Sequence, residues 1–121
     1  MSSILVTGGA GFIGANFVEY LVENLANSSI IVLDKLTYAG DKKNLAKVKS
    51  HPKFKFIEGD ICDTKLLQEL FETHNITDVI HFAAESHVDN SITGPEAFIQ
   101  SNIIGTFRLL EQARASWLEK P

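Results

Sequence analysis

Near its N-terminus the chain reads Thr7-Gly8-Gly9-Ala10-Gly11-Phe12-Ile13-Gly14, a turn rich in glycine. The apolar residues 4–6 precede this turn and predict a short buried strand, and a helical pattern follows it. A strand, a glycine turn and a helix in this order form the arrangement that holds the pyrophosphate of a dinucleotide. The sequence therefore predicts a nucleotide-binding turn close to the start of the chain.

Each of the three spaced glycines has a physical reason to be a glycine. Gly8 permits a tight turn with φ values that a side chain would disfavour. Gly11 lets the backbone approach the phosphates without an intervening Cβ, and Gly14 lets the helix pack closely against the strand. The start of the helix then offers free N–H groups and a partial positive charge to the anion.

An acidic residue ends the second apolar run of the chain. Residues 30–33 read Ile-Ile-Val-Leu, and Asp34 follows them, twenty residues after Gly14. A carboxylate at this distance, at the tip of a second strand, can accept hydrogen bonds from the hydroxyls of the adenosine ribose. The glycine spacing here is Gly-x-x-Gly-x-x-Gly and not the Gly-x-Gly-x-x-Gly of the usual dinucleotide motif. A simpler alternative therefore stays open, namely a plain glycine turn beside a solvated aspartate.

The composition is that of an ordinary globular protein. The chain has 121 residues, of which 45% are hydrophobic and 21% are charged, enough for one domain with a hydrophobic core. The formal net charge is −4 and no basic cluster occurs, so we expect no nucleic-acid partner.

Three features indicate a cytoplasmic protein that does not enter a membrane. Cys62 is the single cysteine, which excludes an internal disulfide framework and fits a reducing cytosol. No apolar stretch approaches the roughly 20 residues that a membrane span needs. The predicted first strand begins almost at the N-terminus and leaves no room for a signal peptide.

Apolar runs alternate with helical patterns along the whole chain. We predict strands at residues 3–7, 29–33, 54–58 and 78–82. We predict helices at residues 12–24, 44–49 and 64–74, and a long helix from Gly94-Pro95 to about residue 117. The first helix should turn Ile13, Phe17 and Leu21 inward, and the third should turn Leu66, Leu67, Leu70 and Phe71 inward.

This alternation predicts an α/β fold with a Rossmann-type, doubly wound parallel sheet of strand order 3-2-1-4. The nucleotide should lie over the carboxyl ends of the strands, at the switch between strands 1 and 4. Strand 4 would then be an uncovered edge of an apolar sheet. We therefore expect residues 1–121 to be an incomplete nucleotide-binding domain of a longer protein.

The glycine turn resembles that of the extended short-chain dehydrogenase/reductase superfamily, and three longer motifs resemble the dTDP-glucose 4,6-dehydratase family within it. These motifs are Asp34-Lys35-Leu36-Thr37-Tyr38-Ala39-Gly40, Ala83-Ala84-Glu85-Ser86-His87-Val88-Asp89-Asn90-Ser91-Ile92 and Ser101-Asn102-Ile103-Ile104-Gly105-Thr106. The resemblance covers nearly the whole chain but only about the first third of that family's length. It implies a bound NAD cofactor and a lyase that removes water from dTDP-glucose.

The resemblance also implies roles for the positions that match. Phe12 and Ile13 would donate backbone N–H groups to the pyrophosphate, next to Gly8, Gly11 and Gly14. Asp34 would hold the adenosine ribose, in a loop shaped by Lys35, Leu36, Thr37 and Gly40. Asp60 and Ile61 would flank the adenine, although Asp60 could instead simply begin the turn at residues 60–63.

The second half of the implied site follows strand 4. Phe82, Ala83 and Ala84 would line the path to the nicotinamide ribose, the Ser101 hydroxyl would reach the cofactor, and Ser86 and His87 would face the sugar nucleotide. Plainer alternatives stay open for His87 as a loop histidine, Glu85 as a solvated charge and Asn102 as a structural residue. No metal site is predicted.

Two positions depart from the family's pattern. The family usually has Arg where this chain has Asn90, which puts any ion pair made there in doubt, and Ser101 replaces a usual Thr. One match to the superfamily is misleading. The stretch Tyr38-Ala39-Gly40-Asp41-Lys42 fits its catalytic Tyr-x-x-x-Lys pattern. Gly40 argues against the helix that this pattern needs, so we assign no catalytic residue in this chain.

The resemblance places the working Tyr and Lys, with a Thr-Asp-Glu group, beyond Pro121. We expect NAD rather than NADP, because a 2′-phosphate would face the Asp34 carboxylate. We also expect the complete protein to be a homodimer. Two rival functions remain, namely another nucleotide-sugar epimerase or dehydratase and a nucleotide-binding module without catalysis of its own.

Overall fold

A computed structural model describes residues 2–25, 27–36, 42–82 and 100–118. Its strands are β1 (Ser2–Thr7), β2 (Ser28–Asp34), β3 (Phe54–Glu58) and β4 (Ile76–His81). Its α-helices are α1 (Phe12–Asn24), α2 (Thr64–Thr73) and α3 (Thr106–Leu118). A short 3₁₀ helix covers Lys42–Leu45, and a π-helical turn, Gln100–Gly105, leads directly into α3.

The four strands form one parallel sheet in the order β3-β2-β1-β4, which confirms the predicted Rossmann-type architecture. The central strand β1 pairs with β2 on one side and with β4 on the other, so that Val6 lies opposite Val32 and Ile80. Residues 30–33 of β2 are at most 1% exposed. A parallel sheet is covered on both faces, which is why its strands read as continuous apolar runs.

Helices cover both faces of this sheet and make two apolar cores. On the α1 side, Val6, Ile30 and Val32 pack with Val18 and Val22. The other face packs against α2 and α3, and its buried members include Leu5, Ile31, Leu33, Leu67, Leu70, Phe71, Leu109 and Ala113. The side chains alternate between the cores along each strand, as the pleat requires.

The inner face of α1 differs in part from the prediction. Leu21 is buried and Phe17 is partly buried against the core, but Ile13 is 70% exposed. The buried stripe consists instead of Gly14, Ala15, Val18, Leu21 and Val22. The reason is that the helix approaches the glycine turn at Gly14, and this contact turns Ile13 in the first helical turn away from the sheet.

The other elements follow the predictions with shifted boundaries. Helix α2 buries the predicted residues, with Leu66 only partly buried, and the Asp63 carboxylate caps it by accepting from Leu66 N at 3.1 Å. Strand β4 starts and ends earlier than predicted, although Phe82 N still donates to Thr7 O at 2.8 Å. The segment predicted as a helix at 44–49 is a 3₁₀ helix followed by turns. The predicted start of the last helix, residues 94–99, lies outside the described residues.

In the described part of the chain, β4 is an edge strand and no further strand pairs with it. Within the same residues, no helix has the length and apolar character that crossing a bilayer would require.

Candidate nucleotide-binding site

The glycine turn connects the carboxyl end of β1 to the start of α1. Gly8 has a φ of 71°, a left-handed conformation that disfavours any other residue and confirms the predicted tight turn. Its N–H donates to Leu33 O of β2 at 2.9 Å, and Gly11 N closes the turn onto Gly8 O at 3.2 Å. The turn is therefore fixed at the ends of the two neighbouring strands where a nucleotide is expected.

Gly14 lies where helix α1 touches this turn. A Cβ built on Gly14 would lie 2.4 Å from Gly8 O and 2.9 Å from Gly9 Cα, both backbone atoms. The close approach predicted for Gly14 is confirmed, and its partner is the backbone of the turn. Because of it, the first turn of the helix is held directly over the glycines.

Phe12 and Ile13 are the first two residues of α1, after the N-cap Gly11. N–H groups in the first turn have no acceptor within a helix, so these two are available to an anion. Both side chains point to solvent, with 78% and 70% exposure. Their role toward a pyrophosphate stays a prediction that this geometry supports.

The Asp34 carboxylate joins the end of β2 to the glycine turn. It is buried, with 8% exposure, and its Oδ2 accepts from Ala10 N at 2.9 Å while Oδ1 accepts from Leu36 N at 2.7 Å. The alternative of a solvated aspartate is therefore wrong. A carboxylate has about four acceptor sites, so both oxygens can still accept from ribose hydroxyls.

The backbone after Asp34 is bent into a conformation that is rare for its residue type. Leu36 has a φ of 60°, in the left-handed region that costs a non-glycine residue roughly 1–2 kcal/mol. The hydrogen bond to Asp34 and the packing of Leu36 against the α1-side core stabilise this bend. Thr37 and Gly40, and the misleading tyrosine at residue 38, lie outside the described residues.

Asn44 is a positioning residue whose role the sequence did not reveal. Its Nδ2 donates to Ala10 O at 2.7 Å, from the 3₁₀ helix that begins at Lys42. Ala10 is fully buried, so Asp34 binds its N–H and Asn44 binds its carbonyl. The two side chains together fix the centre of the glycine turn.

We expect Asn44→Ala to weaken nucleotide binding about threefold to tenfold, because a hydrogen bond of roughly 1 kcal/mol holds the turn in its binding conformation. Calorimetric titration with NAD checks this. Asn44→Asp is the matched control for size: it cannot donate to Ala10 O, and it should weaken binding at least as much. Unchanged affinity in both variants would show that Asp34 alone is sufficient to fix Ala10.

Lys35 and Asp60 face each other beside this loop. Lys35 Nζ lies 3.3 Å from Asp60 Oδ2, and Asp60 Oδ1 accepts from Cys62 N at 2.9 Å. Partial burial alone would raise the pKa of Asp60, but the Cys62 N–H and the Lys35 ammonium outweigh it and hold that pKa below its usual value. Asp60 thus begins the turn at 60–63 and also makes an ion pair. Its contact with adenine stays a prediction.

The remaining predicted site residues are only partly described. Ile61 is 5% exposed and packs in the core beside α2 and α3, and Phe82 packs edge-to-face on Phe17 with ring centroids 5.7 Å apart. Ser101 lies in the π-helical turn, but its side chain is not described. Ala83, Ala84, Glu85, Ser86, His87 and Asn90 lie outside the described residues.

His81 is a second residue that the sequence did not single out. At the end of β4, its Nδ1 lies 2.5 Å from Thr7 Oγ1 and its Nε2 lies 2.8 Å from Thr106 Oγ1. Burial lowers the pKa of His81 below its ordinary value. In the sequence, His81 is recognisable only as a polar residue at the end of an apolar run. That pattern does not predict its hydrogen-bond partners, Thr7 and Thr106, which are 74 and 25 residues away.

The lowered pKa of His81 predicts a loss of stability in mild acid. The unfolded chain binds this proton near the ordinary pKa of 6.5, while the folded chain binds it at a lower pH. The free energy of unfolding should therefore be constant above pH 6.5 and fall as the pH drops toward the folded-state pKa. Burial and Lys55 also lower the pKa of His74, which acts in the same direction.

Denaturant titrations of the wild type and His81→Gln between about pH 7.5 and pH 5.5 isolate the contribution of His81. The variant retains the His74 contribution and should show a shallower decline. Equal declines in the two proteins would contradict the assignment.

The fold and this site define a Rossmann-type nucleotide-binding protein. The chain belongs to the family described as GDP-mannose 4,6 dehydratase, whose sequence profile matches residues 5–121. Among its curated relatives, a dTDP-glucose 4,6-dehydratase of Escherichia coli is 50% identical over 115 residues, which are 95% of this chain and 32% of that protein. The chain therefore spans about a third of the length of the relatives it matches.

Solved structures of dehydratases and epimerases also match nearly the whole of this chain. The dTDP-glucose 4,6-dehydratase of Streptomyces venezuelae, solved with NAD bound, matches with a TM-score of 0.87 and 46% identity over 94% of this chain and 36% of that one. A UDP-glucose 4-epimerase of Thermotoga maritima matches with a TM-score of 0.84 and 36% identity over 95% of this chain and 35% of that one. Both enzyme classes share the fold, and sequence identity is higher to the dehydratase.

Proposed function

We propose that these residues form the cofactor-binding part of an NAD-dependent dTDP-glucose 4,6-dehydratase. The observation that carries this proposal is the buried Asp34 carboxylate, bonded to Ala10 in the centre of the glycine turn. An acidic residue there suits the free ribose hydroxyls of NAD and repels the 2′-phosphate of NADP. The 50% identity to a dehydratase supplies the substrate class.

The described residues fit a dinucleotide on their own geometry. The close contact at Gly14 keeps the start of α1 over the turn, so the N–H groups of Phe12 and Ile13 can bind a pyrophosphate. Asp34, with Asn44 behind it, fixes the ribose end. NAD, when bound, supplies the hydride acceptor that oxidises C4 of the sugar and the hydride donor that later reduces C6.

The contribution of this part of the protein is to bind and orient the cofactor. A hydride can be returned to the sugar only if the cofactor stays in place between the two transfers. The glycine turn and Asp34 are suited to that, since hydrogen bonds within the protein fix both. This chain matches about a third of the length of its relatives. We propose that the acid–base residues and the sugar-binding domain lie in the part of the full-length protein that corresponds to the other two thirds.

The test is to incubate the full-length protein with dTDP-glucose and an amount of NAD far below that of the sugar, and to follow the sugar by mass spectrometry and by chromatography, which separates epimers of equal mass. We expect a product lighter by one water, the 4-keto-6-deoxy sugar. Conversion of a nucleotide sugar to an epimer of unchanged mass would support the epimerase alternative. Binding of NAD without turnover of either kind would indicate a nucleotide-binding module.

We also propose that the complete protein is a cytoplasmic homodimer. Phe107 and Leu110 of α3, and Ile103 in the π-helical turn before it, are between 58% and 64% exposed. An apolar face of this kind suits a second copy of the helix. Sedimentation of the full-length protein tests this: we expect a dimer, and a monomer at all concentrations would contradict it.

A further inference from the structure

The two central strands end in a matched pair of polar side chains. Thr7 of β1 and His81 of β4 are register partners, on the face of the sheet that α2 and α3 cover. After β1 the chain adds β2 and β3 on one side of it, and it then adds β4 on the other side. The direction in which the sheet grows therefore changes between β1 and β4. In open α/β sheets this switch point is where a ligand crosses the strand ends.

His81 links that point to the start of α3. One ring nitrogen lies 2.5 Å from the hydroxyl of Thr7, which is fully buried, and the other lies 2.8 Å from the hydroxyl of Thr106. A neutral imidazole has one donor and one acceptor, and a hydroxyl can complement either, so both bonds form together. The ring therefore connects β1, β4 and α3.

The bond to Thr106 acts on an unusual piece of helix. Thr106 directly follows the π-helical turn Gln100–Gly105, a wider winding that often occurs at functional sites. Two other bonds hold α3 to different partners, from Arg108 Nη1 to Thr64 Oγ1 of α2 at 2.9 Å and from Trp117 Nε1 to Ile76 O at the start of β4 at 2.8 Å. The His81 bond joins the first residue of α3 to the carboxyl ends of β1 and β4.

The position of this link divides the candidate site into two halves. Asp34, Asn44 and the glycine turn lie at the ends of β1 and β2 and fix the adenosine side. His81 and the π-helical turn lie on the β4 side, where a dinucleotide extends after it crosses the switch point. His81 contacts the β1 side through the Thr7 hydroxyl, whereas Asp34 and Asn44 bind the backbone of Ala10 in the glycine turn.

We infer that His81 is a positioning residue for the nicotinamide half of the cofactor. By holding Thr106 against the strand ends, it fixes the end of the π-helical turn on the side of the sheet toward which that half would extend. The inference rests on the proposed NAD site and adds a residue to it. It requires that loss of His81 weaken binding of the nicotinamide half of a dinucleotide and leave binding of the adenosine half unchanged.

The test compares ADP, which occupies only the adenosine half, with NAD, which occupies both. In the full-length protein, His81→Leu should weaken NAD binding about tenfold, the effect expected of one or two lost hydrogen bonds, and change ADP binding less than twofold. Thr106→Val should give the same pattern. Thr106→Ser retains the hydroxyl and should bind both nucleotides like the wild type.

Each alternative outcome has a definite meaning. Equal weakening of ADP and NAD in the Leu and Val variants would overturn the inference in favour of a general structural role. Wild-type NAD affinity in Thr106→Val would also overturn it, and this variant serves if His81→Leu fails to fold. Absence of NAD binding in the wild type would overturn the proposed function as well, whereas the other outcomes leave that function intact.

Discussion

Gly14→Ala should destabilise the protein and reduce NAD binding more than tenfold. In an ordinary helix position the same change stabilises by up to about 1 kcal/mol, because alanine is the better helix former. Here the added Cβ would lie 2.4 Å from Gly8 O and 2.9 Å from Gly9 Cα. Both are backbone atoms that cannot rotate away, so α1 must shift and the overpacking should cost roughly 1–3 kcal/mol.

Thermal unfolding and NAD titration of the variant measure both effects. Glu23→Ala, on the exposed side of the same helix, is the control for helix propensity without the contact. We expect the control to be neutral or slightly stabilised. A Gly14→Ala protein as stable as this control, with normal NAD affinity, would show that α1 does not need its close approach to the turn.

Asp34→Ala should reduce NAD affinity by tenfold or more and should narrow the difference between NAD and NADP. The change removes charge-assisted hydrogen bonds to the ribose, worth roughly 1.5–3 kcal/mol each. It also leaves the N–H of Ala10, a fully buried residue, without its carboxylate partner. Such an unpaired group costs about 1–3 kcal/mol, so the protein should lose stability as well as affinity.

Asp34→Asn separates these two contributions. The amide keeps one acceptor oxygen but presents an NH₂ group to one of the two backbone donors, Ala10 N or Leu36 N. We expect an affinity between those of the wild type and Asp34→Ala, with weaker discrimination against NADP. Equal affinity of both variants and the wild type for NAD would exclude Asp34 from the ribose site.

The regular fold could be predicted because it follows from local patterns. The run at residues 30–33 is apolar at every position, which is typical of a parallel strand buried on both faces, and all four residues are buried. Gly8 and Gly14 were predicted for the reasons that the structure shows, a positive φ and a close backbone approach. Ile13 was misplaced because the periodic pattern of α1 does not say where the glycine turn meets the helix.

The supporting side chains could not be predicted, because their partners are far apart in sequence. Asn44 binds a carbonyl 34 residues earlier, and the His81 bonds span 74 and 25 residues. No spacing rule covers such pairs, which exist only once the strands are aligned. The Lys35–Asp60 ion pair is similar, since Lys35 was assigned to the loop around the ribose and Asp60 to the adenine, without a prediction that they would meet.

The central claim is that Asp34 and the glycine turn form an NAD site, and its most direct test is a titration of the nucleotide-free, full-length protein with NAD and with NADP. A 2′-phosphate facing the Asp34 carboxylate at about 4 Å costs on the order of 1–4 kcal/mol, so NAD should bind at least fivefold more tightly. Equal affinities for the two cofactors, or tighter binding of NADP, would contradict the account.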